Sequence, residues 1–385
     1  MKNILFIHQS AELYGSDKTL LLLLKNINTQ SFNPVVVLPN EGPLKKELES
    51  LNITVVIAPV LKLSRKMFTL KNIIAFLKDI KKGFKALDKL NSIYSFDLIY
   101  SNTLAVLLGL FYAKKRKIKH LWHVHEIIES PKVFSNLFCF LLKNKSNTQI
   151  VYNSIATQNF WNRNNTVSKK SMVIWNGIEN NIISISNSEK ENLRKHVLNT
   201  DSNEVLIGLV GRISRWKGQL LLLNAFKEIV KKTNHVKLVF IGSAPPNQEH
   251  FFTDLTDYIE KYKLNNFVKI IPFQKDIEKF WKCIDIAVVA STEPEPFGLV
   301  AVEAMMAKKP VVGANHGGLS EIIVNNETGF LVKPNEVNEL AKALQILIKD
   351  GVLRTKLGDQ GYQRALQEFS VAAYVEKFET LLASL

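Results

Sequence analysis

The sequence predicts an α/β protein of two doubly wound, parallel-sheet domains. Three observations carry that expectation. Short, continuous, β-branched apolar runs recur, as buried parallel strands require. Amphipathic stretches separate them in a βαβα rhythm that begins at residue 2 and restarts near residue 204. A chain of 385 residues, 46% of them hydrophobic, is long enough for two cores of ordinary size.

Lys2 to His8 suits a first central strand, and Ser10 to Ser16 is the loop after it. Gly15 lies where that strand hands over to the helix of Leu20 to Ile27, and reads either as a glycine that lets a ligand phosphate meet backbone or as an ordinary loop glycine. Strands are expected at Pro34 to Leu38 and Ile53 to Ile57, with a helix over Gly42 to Leu51. From Leu61 to Leu90 the chain is basic and amphipathic, with Arg65, Lys66, Lys78, Lys81, Lys82 and Lys85 among apolar residues. Such a stretch reads either as a solvated helix or as an interfacial one facing anionic lipid.

Asp97 to Tyr100 is the next strand, and Asn102 to Ala113 is expected to be a helix ending in Lys114 to Lys117. Leu121 to Val124 is another strand, with His125 and Glu126 at its C-terminal end, the edge where open α/β sheets bind ligands; His125 reads either as a ligand-facing residue or as a hydrogen-bonded loop residue. Gln149 to Tyr152 and Met172 to Trp175 close the first domain, 1–180. The final helix, Val371 to Leu385, is expected to join it. Glu179 to Ser188, polar and without period, is the expected linker.

The second domain, 181–370, opens with the strand Glu204 to Val210 and the loop Gly211 to Gly218 before a helix, Gln219 to Lys232. Arg212 and Lys217 in that loop can point at one diphosphate, or serve as surface charge. Further strands are expected at Lys237 to Ile241, Phe267 to Ile271, Ile284 to Ala290, Lys309 to Val312 and Gly329 to Val332. After Ala290 comes turn chemistry with Glu295, then a helix over Leu299 to Ala307 carrying Glu303. The amides of Phe297, Gly298 and Leu299 at its start are free to donate to an anion or to hydroxyls. The two carboxylates read as an N-terminal cap and a solvated residue, or as two depths of one cleft.

The charge is uneven. Residues 1–180 hold 25 Lys and Arg against 11 Asp and Glu, whereas residues 181–385 hold 25 against 24. That asymmetry points the first half toward an anionic partner. The longest apolar runs fall short of the roughly 20 residues a bilayer span needs, and the N-terminal run is too short for a signal peptide. A cytoplasmic protein is expected. Cys139 and Cys283 suggest neither a disulfide nor a metal knuckle. There is no phosphate-loop motif, no Gly-x-Gly-x-x-Gly after the first strand, no hydrolase elbow and no Asp-x-Asp, so no metal and no cofactor are expected.

Gly211 to Gly218 (Gly-Arg-x-x-x-x-Lys-Gly), Glu295 to Glu303 (Glu-Pro-Phe-Gly-x-x-x-x-Glu), Gly317 to Glu321 and Thr328 to Val332 together resemble retaining glycosyltransferases of family 4. The resemblance covers essentially the whole chain and is most specific over residues 205–335. It implies the GT-B fold, two Rossmann-like domains across a cleft, with a nucleotide-sugar on the second and the acceptor on the first. It implies that Arg212 and Lys217 hold the diphosphate with Gly15 nearby, that Glu303 takes the ribose, and that Glu295 and the Phe297 to Leu299 amides hold the sugar. His125 is implied beside the reacting carbon. The expected function is metal-independent, retaining transfer of a sugar to a lipid-linked glycan or polysaccharide, in bacterial lipopolysaccharide or capsule synthesis on the inner face of the plasma membrane. The alternatives are a nucleotide-sugar epimerase or phosphorolytic enzyme, and a non-enzymatic binder of membrane or nucleic acid; nucleic acid is not an expected partner. Tyr14 beside Gly15, Pro272, and Ala244 after Gly242-Ser243 depart from the family pattern, so the donor base does not carry over.

Overall fold

The computed structural model describes residues 1–62, 70–163, 170–180 and 184–385, the side chains of 70–76 excepted. Arg65 and Lys66 lie outside them. The chain divides into two compact units, Met1–Glu179 with Val371–Leu385, and Asn180–Ser370.

The first unit runs β1 (Lys2–His8), α1 (Gly15–Asn26), β2 (Phe32–Leu38), α2 (Pro43–Ser50), β3 (Thr54–Ile57), α3 (Leu70–Tyr94), β4 (Leu98–Asn102), α4 (Leu108–Arg116), β5 (Lys119–Val124), α5 (Lys132–Leu142), β6 (Asn147–Tyr152), α6 (Ile155–Asn162) and β7 (Ser171–Val173), and takes α15 (Val371–Ser384) from the far end of the chain. Its seven-stranded sheet is parallel, in the order β3-β2-β1-β4-β5-β6-β7. Alternate residues of each strand feed opposite faces. Leu5 and Ile7 enter a core shared with α3, α4, α5 and α6, while Ile4 and Phe6 enter one shared with α1, α2 and α15. Phe378 of α15 lies against Tyr100, with ring centroids 6.0 Å apart, which is why a C-terminal amphipathic helix completes this core.

The second unit comprises α7 (Asn187–Asn192), a π-helical turn (Leu193–Val197), β8 (Val205–Val210), α8 (Gln219–Val230), β9 (Val236–Ile241), α9 (His250–Lys261), β10 (Val268–Ile271), α10 (Ile277–Cys283), β11 (Ile286–Val289), α11 (Leu299–Met306), β12 (Val311–Ala314), α12 (Leu319–Ile322), β13 (Gly329–Val332), α13 (Val337–Lys349) and α14 (Gly351–Glu368). Its six-stranded parallel sheet is ordered β10-β9-β8-β11-β12-β13. Buried Arg194 ties the π-helical turn to the strand starts, donating to the carbonyls of Cys283 (2.6 Å), Asp201 (3.1 Å) and Glu204 (2.6 Å).

Two expectations need correction. Asn102 to Ala113 is not one helix: β4 continues through Asn102, Thr103 adopts φ 85°, and α4 begins at Leu108. A left-handed threonine cannot sit inside a right-handed helix. The expected linker is in part structured, since Ser186 caps α7 by accepting from Glu189 N at 3.1 Å.

Candidate functional site

In each sheet the chain reverses its winding direction beside the first strand, leaving a crevice at the C-terminal strand ends. In the second unit that point lies between β8 and β11. The loop after β8 is anchored by Gly211 N to the Ile241 carbonyl (2.9 Å), by Ile213 N to the Ser243 carbonyl (3.1 Å) and by Gln219 Nε2 to the Arg212 carbonyl (2.8 Å). Gly218 ends it at φ 79°, and a Cβ there would sit 1.9 Å from the Ala290 carbonyl oxygen. No other residue lets this loop press so closely on the end of β11. Thr292 N then donates to the Trp216 carbonyl (2.8 Å), fastening the two loops together.

The result brings Lys217 to Glu295, 78 residues away: Nζ and Oε1 are 2.6 Å apart, with the side chains 18% and 6% exposed. Ser291 Oγ donates to the same oxygen at 2.6 Å. Lys217 also lies over the Trp216 ring, 4.3 Å from its centroid. A third loop closes the group. His316 Nε2 donates to the Ser291 carbonyl (2.9 Å), and Gly318 N to the Glu295 carbonyl (2.8 Å). Gly298, at φ 119°, precedes α11, so the amides of Phe297 to Leu299 stand at its positive end. The Phe297 side chain itself is core, packed edge-on against Phe369 with centroids 5.8 Å apart.

Arg212 is exposed on the same loop as Lys217, and Glu303 is half-buried on α11. Glu295 stands in the loop before α11 and Glu303 on the helix itself, as the sequence leads one to expect. Ser291, Trp216 and His316 join this group without having been singled out in the sequence; a polar residue directly after an apolar strand, as at Ser291, is the available signal.

In the first unit the switch point lies between β1 and β4, and buried polar residues meet there. Asp17 Oδ1 is 2.5 Å from His8 Nε2, Asn102 Nδ2 is 3.0 Å from His8 Nδ1, and Asn102 Oδ1 is 2.8 Å from His125 Nε2. Asn102 Nδ2 also donates to the Ser16 carbonyl (3.3 Å), and a carbonyl can only accept, so the amide's orientation is fixed. It follows that His8 carries its proton on Nε2 toward Asp17, and that His125 donates from Nε2 to Asn102. His125 is therefore held in one tautomer by a relay of three residues. Burial, with His8 nearby, pushes its pKa down to about 3, so it is neutral. Glu126 accepts from the amides of Leu104 (3.1 Å) and His125 (3.0 Å), yet burial raises its pKa to about 7. Gly15 stands exposed at the start of α1. Lys78, Lys81, Lys82 and Lys85 are exposed on α3.

Residues 188–364 match the family model of glycosyl transferases group 1. The matched segment lies within the second unit. It contains Arg212, Lys217, Glu295 and Glu303. The chain is 32% identical over 206 residues to the capsular polysaccharide biosynthesis glycosyltransferase CapM of Staphylococcus aureus, covering 54% of this chain and 52% of CapM. It is 28% identical over 214 residues to the alpha-1,3/1,6-mannosyltransferase ALG2 of Dictyostelium discoideum, covering 52% and 50%. The chain thus spans about half the length of these curated relatives. The crystal structure of Anabaena HepE in complex with UDP superimposes along the whole of both chains, with a TM-score of 0.85 and 28% identity. HepE in complex with UDP-glucose gives 0.84 and 27%. The chain has the GT-B fold, two Rossmann-like α/β units.

Proposed function

We propose that the protein is a retaining, metal-independent glycosyltransferase. It moves a sugar from a nucleotide-sugar to a lipid-linked glycan or polysaccharide acceptor, at the cytoplasmic face of a membrane, in cell-surface glycan synthesis. The observation that carries this reading is the convergence of Lys217, Glu295 and the start of α11 at one sheet switch point, on the loop that also bears Arg212. The UDP and UDP-glucose complexes of HepE support the donor class. CapM, a capsular polysaccharide biosynthesis glycosyltransferase, supports a polysaccharide acceptor.

In this reading Arg212 and Lys217 take the diphosphate, Glu303 the ribose hydroxyls, and Glu295 with the amides of Phe297 to Leu299 the sugar hydroxyls. Gly15 offers open backbone to the donor, and neutral His125 meets the sugar near the reacting carbon. As the bond from the anomeric carbon to the phosphate oxygen breaks, negative charge grows on the leaving oxygens, where preorganised cations and a helix N-terminus stabilise it. The acceptor oxygen attacks from the same face and its proton passes to the leaving phosphate. Configuration is retained and no dedicated base is required.

Incubation with UDP-, GDP- and dTDP-sugars and a lipid-linked glycan tests it. Nucleoside diphosphate release should depend on acceptor, persist in EDTA and give product with the donor's anomeric configuration by NMR. Arg212→Ala should weaken nucleotide binding. Release from no donor, together with unchanged nucleotide binding in Arg212→Ala, refutes the reading. An altered sugar formed without acceptor assigns the protein to the epimerases instead.

A further inference from the structure

The excess positive charge of the first unit belongs to one side of its sheet. Residues 70–145, which supply α3, α4 and α5, hold 14 Lys and Arg against 5 Asp and Glu. Residues 1–58 with 371–385, which supply α1, α2 and α15 on the other side, hold 6 against 7. There the lysines are also locally neutralised, as where Lys45 meets Glu41 (3.3 Å) and Glu49 (2.8 Å). On the α3 to α5 side, Lys78, Lys81, Lys82, Lys85, Lys114 and Lys115 are all exposed.

Within that basic layer α5 is apolar nearly all round, Lys-Val-Phe-Ser-Asn-Leu-Phe-Cys-Phe-Leu-Leu. A helix of this kind is ordinarily enclosed by protein or by lipid. Phe138, Leu141 and Leu142 face the core. Among the described residues nothing encloses its other side: Val133 is 71% and Phe140 69% exposed. Seven residues apart, they fall within about 20° of one another around the axis and form one stripe. Exposed Lys132 precedes the stripe and exposed Lys143 and Lys145 follow it. Long lysine stems flanking an apolar stripe can lie along it while their ammonium groups reach an anionic surface. Charge complementarity thus selects a bilayer rather than a neutral protein as the occupant.

We propose that the outer face of α3, α4 and α5 docks on an anionic bilayer, with α5 as the inserting element: Val133 and Phe140 enter below the headgroups while the surrounding lysines pair with lipid phosphates. The inference rests on the membrane-bound acceptor proposed above and names the surface that would reach it. Insertion and electrostatics make separable contributions. The lysines draw the protein in from solution and are screened by salt, beyond about 10 Å at 0.1 M. The apolar stripe is not.

The test uses the full chain and vesicles of phosphatidylcholine with and without 30 mol% phosphatidylglycerol (about one lipid in three, enough for a strong surface potential). A tryptophan placed by Phe140→Trp should shift to the blue on anionic vesicles and be quenched by lipids brominated in the acyl chain. Val133→Ser with Phe140→Ser should weaken binding about tenfold or more while leaving UDP affinity unchanged. Lys81→Glu with Lys82→Glu and Lys85→Glu should abolish the preference for phosphatidylglycerol. Vesicle binding with no shift or quenching at position 140 overturns the inserting role of α5 and leaves membrane attachment standing. Absence of vesicle binding overturns the whole surface, while sugar transfer to a soluble acceptor analogue would still stand. A vesicle-independent dimer that Phe140→Ser dissolves assigns the stripe to self-association and also overturns it.

Discussion

The Lys217–Glu295 pair makes opposite demands on stability and on ligand binding, and Glu295→Gln separates them. At an effective dielectric of about 20, two unit charges 2.6 Å apart attract by about 6 kcal/mol gross. Desolvating two side chains that are only 18% and 6% exposed offsets most of that. Removing one partner strands the other, which costs about 3 kcal/mol in sites this enclosed. Glu295→Gln keeps the side chain's size and still accepts from Ser291, so its cost should stay near the lower end, about 2 kcal/mol. In exchange Lys217 loses its counter-charge, and a charge-assisted contact to a diphosphate, typically about 1.5 to 3 kcal/mol, should strengthen. Calorimetric titration with UDP should show affinity about five- to tenfold tighter for Glu295→Gln, while transfer falls by about 100-fold or more because the sugar loses its carboxylate. Lys217→Met should weaken UDP by about tenfold or more, and Glu295→Gln should have no further effect on UDP in that background. Unchanged or weaker UDP binding in Glu295→Gln alone refutes Lys217 as the diphosphate ligand.

Three more outcomes are expected. Burial pushes His120 down to about 4 and His125 to about 3, and holds His123 well below its ordinary value, whereas it raises Glu126 to about 7. Lowered histidine values mean stability is lost as pH falls below 6.5, and the raised Glu126 value means stability is lost as pH rises from 4.5 through 7. Three groups oppose one, so between pH 4.5 and 6.5 urea-unfolding free energy should climb with pH by up to about 2.7 kcal/mol per unit, at 1.36 kcal/mol per proton. His120→Gln should lower that slope by one proton's worth, and an unchanged slope would refute the buried neutral state. Gly218→Ala puts a Cβ 1.9 Å from the Ala290 carbonyl at φ 79°, and should cost about 2 kcal/mol or more in thermal or urea unfolding and weaken UDP binding. Asn102→Leu removes the amide between His8 and His125; kcat should fall by about tenfold or more, and the 15N signals of the His125 ring should lose their single-tautomer pattern. UDP affinity should stay within about twofold, and a large loss of UDP binding would mean the relay is structural support alone.

The alternation of strands and helices was legible because a parallel sheet covered on both faces needs continuous apolar strands, and β1, β8 and β11 print as such runs. The start of α4 was not, because the apolar text from Leu104 onward fits a helix, while the break depends on Thr103 at φ 85° and on Trp122 Nε1 donating to the Thr103 carbonyl (2.8 Å). The charged residues of the second site were legible one by one, as cations and carboxylates next to turn glycines. Their pairing was not: Lys217 meets Glu295 only because β8 and β11 are neighbours in the sheet. The relay to His125 is the extreme case. His8, Asn102 and His125 each look like an ordinary strand-end polar residue, and only the order β1-β4-β5 puts them in line.

The same logic accounts for α5. The apolar residues of α5 outnumber what one inner face can hold, so its exposed stripe emerges only once Phe138, Leu141 and Leu142 are seen to use up that face. What is left over, Val133 and Phe140, is not needed to hold the fold, because neither joins a core cluster. Replacing both with serine should therefore leave the unfolding free energy within about 0.5 kcal/mol, the usual range for surface positions. Urea denaturation measures this directly. A loss of 2 kcal/mol or more would show that the stripe supports the fold, and the lipid contact would then need a different element.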